Sequence, residues 1–145
     1  MKLPEYVTRE EVRRVCRELK IRDWTKLREP QVTMKEAKII LSHVNTEKMK
    51  IPLEDFRTGL EVELEHGTMF KTFNITNNHP LLTGKIVMAH FMEMLDYYKR
   101  LELAEVEGDL LKAIIAKNLE KITKYYNKLV TAKIVLSKVE SGQLK

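Results

Sequence analysis

Apolar residues recur at helical spacing along most of this chain, and polar pairs interrupt two of the resulting apolar arcs. At 100° per residue, a helix over residues 55–66 places Phe56 and Leu60 on one side. Glu63 and His66 fall on that same side, whereas the neighbouring glutamates face the other way. The pattern therefore predicts a carboxylate and an imidazole that point inward.

A second polar pair lies in the helix predicted from about Pro80 to Leu103. His90 and Glu93 fall in the middle of its apolar arc. The other members of that arc are aliphatic and aromatic side chains, namely Leu82, Ile86, Val87, Met94, Tyr97 and Leu101.

Four polar groups that face a core need partners, because an unpaired buried carboxylate is very costly. Side chains one helical turn apart converge on one point, as they do in metal sites inside helical bundles. Two imidazoles and two carboxylates suit Fe, Mn or Zn. The predicted ligands of a transition metal are therefore Glu63, His66, His90 and Glu93.

Two further side chains extend this predicted site. His79 or an open water position completes the metal shell, and Tyr97, one turn beyond Glu93, adds a phenol ligand or a supporting hydrogen bond. The alternative is a closed network without metal, in which the glutamates hydrogen-bond the histidines or Arg100. The residues alone leave both interpretations open.

Helix-start signals elsewhere in the chain favour an all-α bundle. Thr8 with Glu11 has the spacing of a capping box, and Thr33 with Glu36 has the same spacing before a second amphipathic stretch. Few glycines and prolines and abundant Lys, Glu and Leu agree with a compact helical protein.

Glycines mark the predicted helix ends. Gly67 is the expected C-terminal cap of one helix, and Gly108 the expected break before the last. The result is about five helices in a single domain with a long C-terminal helix. Residues 1–33 form its N-terminal helical extension, 34–108 its motif-bearing core and 109–140 the long helix.

The C-terminal helix has the most regular apolar pattern, a heptad seam of Leu111, Ile115, Asn118, Ile122, Tyr125, Leu129, Ala132, Leu136 and Val139. At 1.5 Å per residue this helix would be roughly 45 Å long. We therefore expect it to pair with its counterpart in a two-fold dimer, with Asn118 setting the register. The alternative is the longest helix of a monomeric bundle.

The net charge of +5 belongs to the C-terminal segment. Residues 109–145 contain eight Lys and three acidic residues, whereas residues 1–108 are balanced. A row of lysines on one helical face is compatible with nucleic-acid binding. The segment has no Arg and no aromatic side chain on that face, so a solvated surface is favoured over a nucleic-acid partner.

Composition also bears on location. The single Cys16 excludes an internal disulfide and falls on an apolar stripe, as a buried core thiol does. No apolar run approaches the ~18 residues of a membrane span, and the N-terminus lacks the layout of a signal peptide. We expect a cytoplasmic protein without a membrane partner.

Catalytic motifs are not evident in the sequence. Thr83, Gly84 and Lys85 resemble the end of a phosphate-binding loop, but His79 stands where that loop needs a glycine. No spacing indicates a nucleophile, base and acid triad. Whether the chain is an enzyme is left open.

The strings ELEHG, TGKI, AH and DYY follow one another in this chain. In this order and spacing they resemble a small helical domain of unknown function found in microbial and viral proteins, over about residues 34–105. Two positions depart from that family's pattern. His79 stands where the family usually has an acidic residue, and Leu95 stands where it has proline, which leaves the predicted helix before Tyr97 uninterrupted.

The resemblance implies no activity, because the family itself is uncharacterised. It does imply that the polar residues belong to a family motif: Glu63, His66, His90, Glu93, Asp96 and Tyr97. Two function classes follow. One is a metal-binding helical domain, and the other is a non-catalytic assembly or scaffold protein, cellular or virion-associated, whose buried polar network fixes the packing.

Overall fold

The computed structural model describes residues 6–144, which form helices joined by short loops. In that span there are six α-helices, two 3-10 turns and no β-strand, so the predicted all-α class is confirmed. The chain divides into two compact units, the first ending at Glu93 and the second starting at Met94. The α-helices are α1 (Arg9–Glu18), α2 (Met34–Val44), α3 (Leu53–Met69), α4 (Pro80–Glu93), α5 (Tyr97–Ile115) and α6 (Leu119–Gln143).

Threonines start the first two helices of the first unit, as the sequence predicts. Thr8 Oγ1 accepts a hydrogen bond from the Glu11 backbone N–H at 3.2 Å. Thr33 Oγ1 accepts one from the Glu36 N–H at 3.2 Å, and the Glu36 carboxylate accepts one from the Thr33 N–H at 2.9 Å. The second pair is a complete capping box.

The core of the first unit lies where α2, α3 and α4 pack against one another, with α1 against α4. Gly84 allows α4 to approach α2, because a Cβ at this position would lie 2.7 Å from the Cγ2 of Ile40. Each large apolar side chain buried there contributes about 1.5–3 kcal/mol to stability. The largest include Phe56, Ile40, Leu60, Leu64 and Val87.

Cys16 lies in this core with Val12 and Val15 of α1, as predicted. Burial raises the pKa of its thiol, so the neutral form is favoured. The cysteine is therefore a packing residue.

A buried carboxylate fastens the segment between α1 and α2 to the start of α2. The Glu36 side chain is 4% exposed. Its oxygens accept hydrogen bonds from the Arg22 guanidinium at 2.7 and 2.9 Å, the Trp24 indole N–H at 3.3 Å and the Thr33 hydroxyl at 2.8 Å. Burial alone would raise the pKa of Glu36, but these donors outweigh it and lower the pKa to about 2. The sequence predicted only the capping role of Glu36.

Helix α3 continues past its predicted end. Gly67 lies inside the helix, which ends at Met69 with Phe70 as its C-cap. The expectation that Gly67 is a C-terminal cap is therefore wrong. The glycine is needed for close packing, because a Cβ there would overlap the Oδ1 of Asn78 and lie 2.8 Å from the Nδ2 of Asn74.

The helix predicted from Pro80 to Leu103 is two helices. Helix α4 ends at Glu93, and α5 begins at Tyr97 after a turn. The break occurs although position 95 is leucine rather than proline. Asp96 is the N-cap residue of α5 and makes no side-chain capping hydrogen bond; its carboxylate accepts hydrogen bonds from Arg100 at 2.8 and 3.0 Å, which link the cap position to the first turn of the helix.

In the second unit, α5 and α6 pack against each other. Arg100 near the start of α5 binds Glu140 near the end of α6 at 2.8 Å, so the two helices run antiparallel. Helix α5 passes through Gly108, and the predicted break there is wrong. The break comes at Lys117, whose φ of 53° is left-handed, and Asn118.

The heptad seam is divided by this break. Leu111 and Ile115 belong to α5, whereas the seam from Ile122 onward belongs to α6. Asn118 is the N-cap residue of α6 and accepts a hydrogen bond from the Lys121 N–H at 3.0 Å, so it is not a buried register residue. Leu129, Ala132 and Leu136 of the seam are buried within the chain. The dimer stays a prediction. It would have to form through a face of α6 other than the seam, because the seam packs within the chain.

Candidate functional site

Glu63 of α3 and His90 of α4 lie side by side where these helices pack. Their side chains are 13% and 25% exposed, and Glu63 Oε1 lies 3.4 Å from His90 Nε2. Both side chains lie next to apolar core positions, as the helical pattern predicts. The separation allows a direct ion pair when the imidazole is protonated.

His66 approaches the other oxygen of the same carboxylate. Its Nδ1 lies 3.9 Å from Glu63 Oε2, and its side chain is 67% exposed. Glu93 is also exposed, at the last residue of α4. The inward orientation is thus correct for Glu63 and His90 and wrong for His66 and Glu93. Position i+3 is rotated by about 60° from position i, which places both outer residues at the edge of the buried arc.

Within residues 6–144, no set of three or more His, Cys, Asp or Glu side chains is already arranged to hold a metal ion. Glu63 is close to both His66 and His90. Glu93 is not brought to this group, because α4 ends at that residue with its side chain in solvent.

His79 makes hydrogen bonds at the start of α4, and its place in the metal shell stays a prediction. It directly precedes α4, and its Nδ1 accepts a hydrogen bond from the Leu82 backbone N–H at 3.3 Å, while its carbonyl accepts one from the Thr83 N–H at 2.9 Å. Burial lowers the pKa of His79 and favours the neutral ring that this bond requires. The Nδ1 lone pair of His79 is therefore occupied by a hydrogen bond at the start of α4.

Tyr97, the other additional ligand predicted, belongs to the second unit. Its ring packs edge-on against the Tyr98 ring, with centroids 5.2 Å apart and planes at 78°. The continuous helix that placed Tyr97 one turn beyond Glu93 is absent, because the chain turns at Met94–Asp96. The prediction that Tyr97 joins the metal site loses that geometric basis.

A cavity of about 200 Å³ borders Glu63 and His66. Its wall combines these two polar side chains with residues of the segment after α3 and of α4. A small molecule or ordered water has access to the Glu63 carboxylate from this side. Lining residues include Phe73, Asn74, Ile75, Thr83 and Ile86.

Sequence reasoning missed an asparagine network that forms part of this wall. Asn74 Nδ2 donates to the Gly67 carbonyl at 3.2 Å and to Asn78 Oδ1 at 2.9 Å, and the Asn78 N–H donates to Asn74 Oδ1 at 3.3 Å. Asn77 and Asn78 have φ values of 49° and 61°, a conformation that asparagine adopts more readily than most residues. The paired asparagines in NITNNHP were the available signal.

The lysine row of the C-terminal segment lies in solvent. Lys121, Lys124 and Lys128 are exposed on α6. Their exposure agrees with the predicted solvated face. In the part of the chain described, no helix combines the length and apolar character needed to cross a membrane.

Comparison with known proteins places the chain in a family without a known activity. No curated protein and no solved structure matches it. A family model described as "Protein of unknown function (DUF5661)" matches residues 12–107. This match covers more than half of the chain and agrees with the resemblance to a small domain of unknown function. The chain therefore belongs to the family "Protein of unknown function (DUF5661)".

Proposed function

We propose that this domain binds a transition-metal ion through Glu63, His66 and His90. The observation that carries the proposal is the position of the Glu63 carboxylate, with one imidazole nitrogen near each of its oxygens. Two imidazoles and one carboxylate are a common donor set for Fe, Mn and Zn.

The distances support this arrangement. Two ligand atoms that are each about 2.1 Å from a tetrahedral metal lie roughly 3.4 Å apart. Glu63 Oε1 and His90 Nε2 are 3.4 Å apart. His66 Nδ1, at 3.9 Å from Glu63 Oε2, has to move closer, and its exposed side chain is free of packing that would prevent this. A site that forms only when His66 moves agrees with the finding that no group of metal ligands is already arranged among the described residues.

Three protein ligands leave a coordination position open. The cavity of about 200 Å³ beside Glu63 and His66 supplies room there for water or a substrate. Such an open position is typical of catalytic rather than structural metal sites. A redox or hydrolytic reaction is therefore the class of chemistry that this proposal suggests.

Elemental analysis of the full chain, purified without a metal-affinity tag, tests the proposal. We expect close to one equivalent of Fe, Mn or Zn, and a higher melting temperature when that metal is added to the stripped protein. A ligand at a hundred times its Kd stabilises the folded state by about 2.7 kcal/mol.

Two histidine variants locate the site. His90→Gln should lose the metal and its thermal shift. His43→Gln is the matched control, since His43 is exposed on α2 with its Nδ1 2.8 Å from the Ile39 carbonyl oxygen. Glu93→Gln should also retain the metal if the ligands are the three proposed here. Less than about a tenth of an equivalent, with no thermal shift from any of the three metals, contradicts metal binding.

The second candidate is a non-catalytic assembly domain in which these residues only fix the packing. It is favoured by the direct 3.4 Å approach of Glu63 to His90, which needs no ion between them. In that case His90→Leu should be tolerated or should stabilise the fold, because a buried ion pair is often no better than apolar packing. Under the metal proposal the same variant loses the ion.

A further inference from the structure

A second cavity in the first unit, of about 250 Å³, is lined by positive charge. It lies among the start of α1, the 3-10 turn Trp24–Lys26 and the segment after α3. Its cations are Arg9, Lys26, Arg28 and Lys71. No Asp or Glu is among the lining residues that the structure describes.

Carboxylates of the described residues 6–144 compensate these cations only at Lys26. Lys26 Nζ lies 3.7 Å from Asp23 Oδ2. Across residues 6–144, Arg9, Arg28 and Lys71 form no ion pair within 4 Å. Like charges that share a concave surface repel one another and focus a positive potential into it, and an anion relieves that repulsion.

Most other arginines of the same unit are paired with carboxylates. Arg14 binds Glu11 and Glu18 at 2.6 Å, and Arg22 binds Glu36 at 2.7 Å. Arg57 is held in the same way on α3 by two glutamates. The cavity is thus a local departure from a surface that otherwise pairs most of its arginines.

Asparagines give the cavity a fixed polar wall. Asn77 Nδ2 donates to the Val7 carbonyl at 2.6 Å, and Asn78 is held by Asn74 and packed against Gly67. These residues line the cavity together with the cations. Because the wall is held by its own hydrogen bonds, binding of a ligand need not order it, which lowers the cost of binding.

We propose that this cavity binds the phosphate or diphosphate group of a small phosphorylated ligand. Guanidinium groups of Arg9 and Arg28 match phosphate oxygens as two-point donors, and the lysines add point charges. The limited volume of about 250 Å³ favours one or two phosphate groups over an extended polymer, which needs a groove that follows its backbone. This site is distinct from the Glu63 carboxylate and its histidines, although Gly67, Asn74 and Asn78 border both cavities.

Calorimetric titration of the full chain with pyrophosphate tests the proposal. The protein is first stripped of metal with EDTA and dialysed, so that chelation at the proposed metal site contributes no heat. We expect saturable binding of one pyrophosphate per chain. The double variant Arg28→Gln with Lys71→Gln should bind roughly tenfold to a hundredfold more weakly, as expected when charged hydrogen bonds are lost. Both side chains are exposed, so the fold should survive, which circular dichroism checks.

Arg17→Gln is the matched control. Arg17 is exposed on α1, has no ion pair among the described residues and does not line the cavity, so its loss removes charge without removing a contact. Binding within about twofold of the wild type is expected for it. Equal weakening by Arg17→Gln and the double variant overturns the proposal, as does no binding up to about 10 mM pyrophosphate. If an oligothymidine binds through these cations and pyrophosphate does not, the surface serves nucleic acid and the small-ligand proposal is wrong.

Discussion

Replacing Glu36 with glutamine tests how much the buried carboxylate contributes to the fold. Glutamine keeps the size of the side chain but loses the negative charge beside the Arg22 guanidinium. Its amide NH2 group would also face N–H and O–H donors that bind a carboxylate oxygen in the wild type. The change therefore removes the charged hydrogen bonds around Trp24 and Thr33 while leaving the packing volume almost unchanged.

The magnitude follows from the pKa of Glu36, which is lowered from 4.5 to about 2 in the folded protein. A pKa difference of one between the folded and unfolded states corresponds to about 1.4 kcal/mol, so ionised Glu36 contributes on the order of 3 kcal/mol to the free energy of unfolding. Because the folded pKa is the lower one, this contribution is complete above pH 4.5 and is lost as the pH falls toward 2. We expect Glu36→Gln to be less stable than wild type at pH 7, and the difference to shrink below pH 4.5.

Urea unfolding followed by the fluorescence of Trp24, the single tryptophan, measures this difference. Trp24 is fully buried beside Glu36, so unfolding changes its surroundings. Glu54→Gln is the control, because Glu54 is an exposed partner of Arg57 on α3 and should leave the urea midpoint nearly unchanged. A loss below about 1 kcal/mol at pH 7, or a loss that is the same at pH 7 and pH 3, refutes the reasoning.

Two further predictions concern packing and assembly. Gly67→Ala should destabilise the fold by about 1–3 kcal/mol, because its Cβ would overlap Asn78. Gly108→Ala should be neutral or stabilising, because nothing lies within 4 Å of a Cβ there. Equal urea midpoints for the two variants contradict this prediction. Tyr126 and Val130 form an exposed apolar face on α6, so replacing both with lysine should dissociate the dimer. Light scattering should then give a mass of 17.1 kDa for the double variant. A mass of 17.1 kDa for the wild type at micromolar concentration refutes the dimer.

Features set by short stretches of sequence were predictable. Thr8 and Thr33 cap their helices because each cap depends on residues within three positions along the chain. The buried apolar residues of α3 also follow the 3.6-residue period, with Phe56 and Leu60 fully buried. These local signals were enough to predict the all-α class.

Helix breaks set by distant partners were not predictable from spacing. The turn before α5 is stabilised at Asp96, which binds Arg100, and Arg100 in turn binds Glu140 on the other helix of the unit. The apolar period continues across this turn, so periodicity alone extends the helix through it. At Gly108 the sequence predicted a helix break, but α5 continues through it. A glycine inside a helix costs only about 1 kcal/mol and is tolerated there.

The candidate site was predicted in part for the same reason. Helical phase places Glu63 and His90 toward the core, but it cannot decide how far a residue at the edge of the arc is exposed. His66 and Glu93 are such residues. The contacts of Asn78 with Gly67 and with the Trp24 carbonyl join segments far apart in sequence, and no spacing rule reveals them.

Two carboxylates of the first unit, Glu36 and Glu63, differ in their surroundings, and this difference indicates where a ligand should be sought. Glu36 is surrounded by donors from Arg22, Trp24 and Thr33, so no site is left for a ligand. Glu63, by contrast, borders a cavity and approaches one exposed and one partly buried imidazole, with a moderate separation from each. A cavity beside a carboxylate gives a ligand access to its oxygens, whereas the Glu36 oxygens are occupied by protein donors. The cavity and the two adjacent imidazoles are therefore the reason to seek a ligand at Glu63 first.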